Sequence, residues 1–114
     1  MKKYLNIVVL FVCLMSGSVH AQGIAMFGFE DDSCGAWAKS AQEHEVVRGQ
    51  YIKWVRGFIS GSNWMTPGNQ ANTSGGLSSE TISLYLDKYC RENPLQHFIN
   101  GVFELVRELR GDKN

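Results

Sequence analysis

Neither sign of charge is in excess along this chain. Eleven Lys and Arg are matched by eleven Asp and Glu in 114 residues, alternating without a block. Nucleic acid and anionic membrane both demand a basic patch, so neither is an expected partner. Long apolar runs are also missing after the first twenty residues, which excludes a spanning helix in the remainder. No Cys-x-x-Cys or His-x-x-x-His spacing occurs among Cys34, Cys90, His44 and His97, so a metal centre is not expected. No glycine-rich phosphate loop follows a strand, and no repeat or low-complexity tract is present. Paired carboxylates at Asp31-Asp32 look like helix caps. Glu104 and Glu108 sit among Arg107 and Arg110 on what reads as a solvated helix face. No catalytic residue, metal site or cofactor is expected, and the chain does not read as an enzyme.

The first residues carry the clearest signal. Lys2 and Lys3 precede an apolar run from Leu5 to Met15, and Val19-His20-Ala21 fits a small-x-small cleavage site. Residues 1–21 therefore read as a cleaved signal peptide. Val12 before Cys13 does not fit a lipoprotein site, so a periplasmic protein free of a membrane anchor is expected to start at Gln22. Cleavage leaves 93 residues, enough for one small domain, with nine basic and eleven acidic side chains and a charge of about −2. Two cysteines remain, Cys34 and Cys90. In an oxidising compartment a disulfide is their default fate. Closing a loop of that length contributes roughly 4 kcal/mol in the chain-entropy model.

Residues 22–32, apolar and glycine-containing, read as an extended N-terminal arm or a disordered start. From there to residue 111 the periodicity predicts an all-α domain of four helices. The first spans about Cys34 to Glu43, after the capping residues Asp31, Asp32 and Ser33. The second spans about Glu45 to Ser62, where Val47, Tyr51, Trp54, Val55, Phe58 and Ile59 make one stripe. Gly57 and Gly61 weaken it unless a neighbouring helix crosses closely there, and that packing role is the expectation. The third begins at Ser78-Ser79, carries Ile82, Tyr85, Leu86, Tyr89 and Cys90, and stops near Asn93 because Pro94 follows. Asn93-Pro94 then opens a fourth helix whose stripe runs from Leu95 through Phe98, Ile99, Val102, Phe103 and Val106 to Leu109, ended by Gly111.

Residues 63–77 form a long loop rich in turn formers, punctuated by Pro67-Gly68 and Gly75-Gly76. A loop of this length is either functional or a mere mobile connector. Trp64 and Met65 at its start are either core residues closing the helix or exposed contacts. On the functional reading Asn63, Trp64, Met65, Thr66, Pro67, Asn69, Gln70 and Asn72 supply a partner-binding loop.

Four segments together resemble a known group. They are Ser33-Cys34-Gly35-Ala36-Trp37, Trp54-Val55-x-Gly57-Phe58-Ile59-x-Gly61, Leu84-Tyr85-Leu86-Asp87-x-Tyr89-Cys90-x-x-Asn93-Pro94 and Leu105-Val106-x-Glu108-Leu109. This set, over residues 33 to 110, resembles the Tai/Rap family of type VI secretion immunity proteins. The resemblance implies a periplasmic helical protein that binds and blocks a peptidoglycan amidase effector, with a protruding loop as plug and a homodimer as a further expectation. A leader, a short helical chain and one disulfide also resemble the HdeA-type acid-stress chaperones, which implies acid-triggered client binding instead. A generic periplasmic interaction module is the third reading.

Overall fold

The computed structural model describes residues 29, 31–43, 45–73 and 75–112. The leader, the arm before Phe29, Glu30, His44 and Ser74 lie outside the described residues. Four helices follow one another: α1 (Cys34–Ser40), α2 (Glu45–Met65), α3 (Ser79–Glu92) and α4 (Phe98–Arg110). Among the described residues there is no strand. A single bridge joins Ser33 to His97. No described helix is long and apolar enough to cross a membrane.

Local chemistry sets the helix ends. The Ser33 hydroxyl accepts from the Ala36 N–H at 3.0 Å, and Ser78 accepts from the Thr81 N–H at 3.1 Å. Each satisfies one donor that the first turn of a helix leaves orphaned. Gly111 closes α4 with φ of 75°, a left-handed conformation that only glycine adopts without a Cβ penalty. α1 stops at Ser40 instead of Glu43. The Trp37 carbonyl, which would continue the ladder, accepts from the Ser40 hydroxyl at 2.6 Å and from Arg48 at 3.0 Å. α4 begins at Phe98, four residues after Pro94. Backbone pairing explains the delay: the Cys34 N–H donates to the Gln96 carbonyl at 2.9 Å, and the Phe98 N–H to the Asp32 carbonyl at 2.8 Å. Leu95, expected on the buried stripe, is consequently 97% exposed in that turn.

The core is aromatic at one end and aliphatic at the other. Phe98 lies at its centre, edge-on to Tyr51 at 5.1 Å and stacked with Trp37 at 6.0 Å; Phe29 stacks on Tyr51 at 4.1 Å. Val55, Ile82, Leu86 and Val102 complete it, all fully buried. α1 is too short to persist alone and is held by two devices. The Cys34–Cys90 disulfide joins its first residue to α3, with both cysteines buried. Asp87 of α3 accepts from the Trp37 indole N–H at 2.8 Å and from Arg48 of α2 at 3.0 Å, while the Arg48 guanidinium lies 3.6 Å over the Trp37 ring. Charge-assisted and cation–π contacts at partly buried sites are the stronger members of their classes.

The expected helix-packing role of Gly57 and Gly61 is corrected. A Cβ at either position would meet no atom within 4 Å. Each glycine lies two residues from buried Ile59, and Gly57 also two from Val55, about 200° around the helix, so both face outward. The close crossing is at Gly101, where a Cβ would fall 2.6 Å from Tyr89 Cδ1. Gly57→Ala should therefore stabilise the protein by about 0.5–1 kcal/mol, the exposed-helix difference between the two residues. Denaturant unfolding of that variant checks it, and a destabilised result would place Gly57 in a contact after all.

Candidate functional site

The segment after α2 is tied down along its length. The Asn63 side chain spans it, donating to the Ala71 carbonyl at 3.3 Å and accepting from the Ala71 N–H at 2.7 Å. Ala71 is thereby buried at the base of the loop. Pro67 and Gly68 occupy a tight turn in which the Asn69 N–H donates to the Thr66 carbonyl at 3.0 Å. The Thr66 hydroxyl bonds the Ser62 carbonyl at 2.7 Å, anchoring that turn to the helix end. From the other side, Arg110 donates to the Thr66 and Ser62 hydroxyls. The Asn72 N–H reaches the Leu109 carbonyl at 2.8 Å. α2 and α4 thus hold both limbs of the loop, and an ordered loop loses less entropy on binding than a mobile one.

Trp64 and Met65 end α2 as exposed residues, with Trp64 85% accessible. Pro67, Asn69, Gln70 and Asn72 are exposed as well. Asn63 and Thr66 are half-buried and structural, holding the loop's shape. Two anchors escaped the sequence reading. Ala71 gives no signal, being one alanine among polar residues. Arg110 was grouped with Arg107 on a solvated face, yet only Arg107 has the neighbouring Glu104 as partner while Arg110 turns to the loop. Glu108 is also engaged, its carboxylate lying near the Tyr85 phenol. Burial and that carboxylate push the Tyr85 phenol up to about 12.

Above the loop, the outer side of α2 carries a second feature. Trp54, Gly57, Phe58, Gly61 and Met65 recur at i, i+3, i+4, i+7 and i+11, one face of the helix. Trp54 and Phe58 stack at 5.5 Å, and Phe58 meets Phe103 of α4 at 5.6 Å. The two glycines leave the backbone open beside these rings. Elsewhere, Cys34 and Cys90 are consumed in the disulfide and offer no thiolate. His97 pairs with Asp32 at 2.6 Å, tying the arm to the turn before α4. Among the described residues no three His, Cys, Asp or Glu side chains are placed to hold a metal ion. The chain matches no family model, no curated protein and no solved structure.

Proposed function

We propose that this chain is an exported binding protein, an immunity-type inhibitor that captures and blocks a peptidoglycan-degrading amidase. The observation that carries the binding role is the outer face of α2. Two glycines in mid-helix each cost about 1 kcal/mol relative to alanine, and neither has a neighbour within 4 Å. A partner covering the open backbone at Gly57 and Gly61, beside the stacked Trp54 and Phe58 rings, would supply the missing packing reason. Depletion of charge with aromatic enrichment is the composition of an interface centre. The amidase as partner rests on the sequence resemblance alone.

The experiment is capture from periplasmic extract by the mature protein, compared with Gly57→Leu. One stoichiometric hydrolase at neutral pH, lost in Gly57→Leu while the melting temperature is kept, is the expected result. Broad capture of many proteins, arising only at about pH 2–3 where carboxylates are protonated, would replace this function with the acid-chaperone one.

A further inference from the structure

We infer that the groove between α2 and α3 is a binding site for a fatty carboxylate, a single apolar chain with one anionic head. The α2 wall of this groove, Gly49 and Ile52, lies about 150° around the helix from Trp54. It is a different surface from the one proposed to capture a hydrolase, and the inference does not rest on that capture.

The groove encloses about 870 Å³, a volume in the range of small-molecule sites. Two ties show that α2 and α3 run antiparallel along it. Arg56 donates to the Leu77 carbonyl at 3.0 Å, just before α3 begins, and Arg48 reaches Asp87, two turns into α3, at 3.0 Å. Between those ties the lining is apolar, made by Gly49, Ile52 and Leu84. Leu84 is 71% exposed, and a Cβ at Gly49 would meet no atom within 4 Å. A bare stretch of helix backbone beside an exposed leucine is a slot that this chain does not fill itself.

The charges decide the head group. Arg48, Lys53 and Arg56 line the groove, and so do Glu45 and Glu80. Arg48 is spent on Asp87 and the Trp37 carbonyl. Glu80 is spent on the start of α3, where its own backbone N–H and Ser78 hold its carboxyl below the usual range. Glu45 stands at the other end, eight residues and about 12 Å along α2 from Lys53. Lys53 makes no ion pair or hydrogen bond among the described residues, and Arg56 donates only to the neutral Leu77 carbonyl and Ser79 hydroxyl. The positive end of the α3 dipole opens on the same place at Ser79. A carboxylate fits there, between Lys53 and Arg56. Its chain then runs over Gly49, Ile52 and Leu84 toward Glu45, and every part of the ligand meets a group of matching polarity.

Titration calorimetry with octanoate, decanoate and dodecanoate, each below micelle formation, tests this, with decyltrimethylammonium as the probe of opposite charge. Saturable binding of the carboxylates, tightening about 4-fold for each buried methylene, is the expected result. Decyltrimethylammonium should bind more weakly than decanoate. Gly49→Leu should abolish binding while the melting temperature is kept, because its side chain enters open space. Leu84→Ser should weaken binding, and its exposed position keeps the test decisive if Gly49→Leu misfolds. Lys53→Gln should weaken decanoate about 2- to 5-fold, the worth of a partly exposed ion pair, and leave the gain per methylene unchanged. No saturable binding of any of the three carboxylates overturns the inference, and so does binding that persists in Gly49→Leu. A preference for decyltrimethylammonium overturns it as well, since the head would then sit at Glu45. Hydrolase capture is read separately through Gly57→Leu, so either function can fail while the other stands.

Discussion

Cys34→Ser should lower the thermal midpoint by roughly 15–30 °C. The bond joins residues 56 apart, and closing a loop of that size removes about 4 kcal/mol of denatured-state entropy. For a domain near 90 residues, each kcal/mol moves the midpoint about 4–8 °C. The serine would also strand a hydroxyl at a position that is only 2% exposed. α1 is the element at risk, because seven residues cannot sustain a helix without tertiary support. What remains to hold it is the Asp87 clamp on Trp37 and Arg48, the burial of Trp37 against Phe98 and the backbone bond from Cys34 to Gln96. Circular dichroism melts of the wild type with and without reductant, beside a Cys34→Ala/Cys90→Ala double variant, measure the bond's share. If reduction leaves the midpoint unchanged, the noncovalent contacts of Trp37 and Arg48 and not the disulfide anchor α1.

Gly101→Val should destabilise by an amount at or above the top of the roughly 1–3 kcal/mol range for overpacked cores. Even a single methyl would lie 2.6 Å from Tyr89 Cδ1, 2.8 Å from Cγ and 3.1 Å from a Leu86 methyl. The contact is with the root of the Tyr89 ring, which cannot swing aside without moving α3. Beneath it lie Leu86 and Val102, both fully buried, so separating α3 from α4 opens the core itself. Alanine makes the sharper comparison. Gly101→Ala should lower stability while Gly57→Ala raises it, although both glycines sit inside helices of one chain. Adding Tyr89→Ala to Gly101→Ala should recover part of the loss, and that coupling isolates the crossing. Equal effects of alanine at the two positions would refute the packing described.

How much of this was readable beforehand follows from which signals are local. Stripes of apolar residues at helical spacing placed four helices, because burial of one side of a helix is written in every turn. Ser33 and Ser78 announced their helix starts by the same local logic, a hydroxyl within reach of a backbone N–H three residues on. The pairing of Cys34 with Cys90 was legible once Cys13 was assigned to the expected leader, which left two cysteines.

The glycines show where that reading stopped. Spacing identified Gly57 and Gly61 as notable but could not say what stands opposite them. Only the assembled bundle does, and it leaves both open while Tyr89 closes on Gly101. Position 101 was unremarkable in sequence because a missing side chain has no pattern until its neighbour's ring is in place. The start of α4 was misjudged for a related reason. Asn93-Pro94 is a sound local start, yet residues 32–34, far away in the chain, claim the backbone of 96–98.

The loop divides the same way. Its extent and its turn at Pro67-Gly68 are properties of the residues themselves. Its order is not. Ala71 and Arg110 anchor it through groups distant in the chain, so whether it is a loose connector or a formed surface was decided by packing alone. Fold class, helix count and the covalent staple are thus set by short-range chemistry and residue count. The packed glycine, the open one and the orientation of Trp64 follow from which helices meet, and that is settled only when the whole core is buried at once.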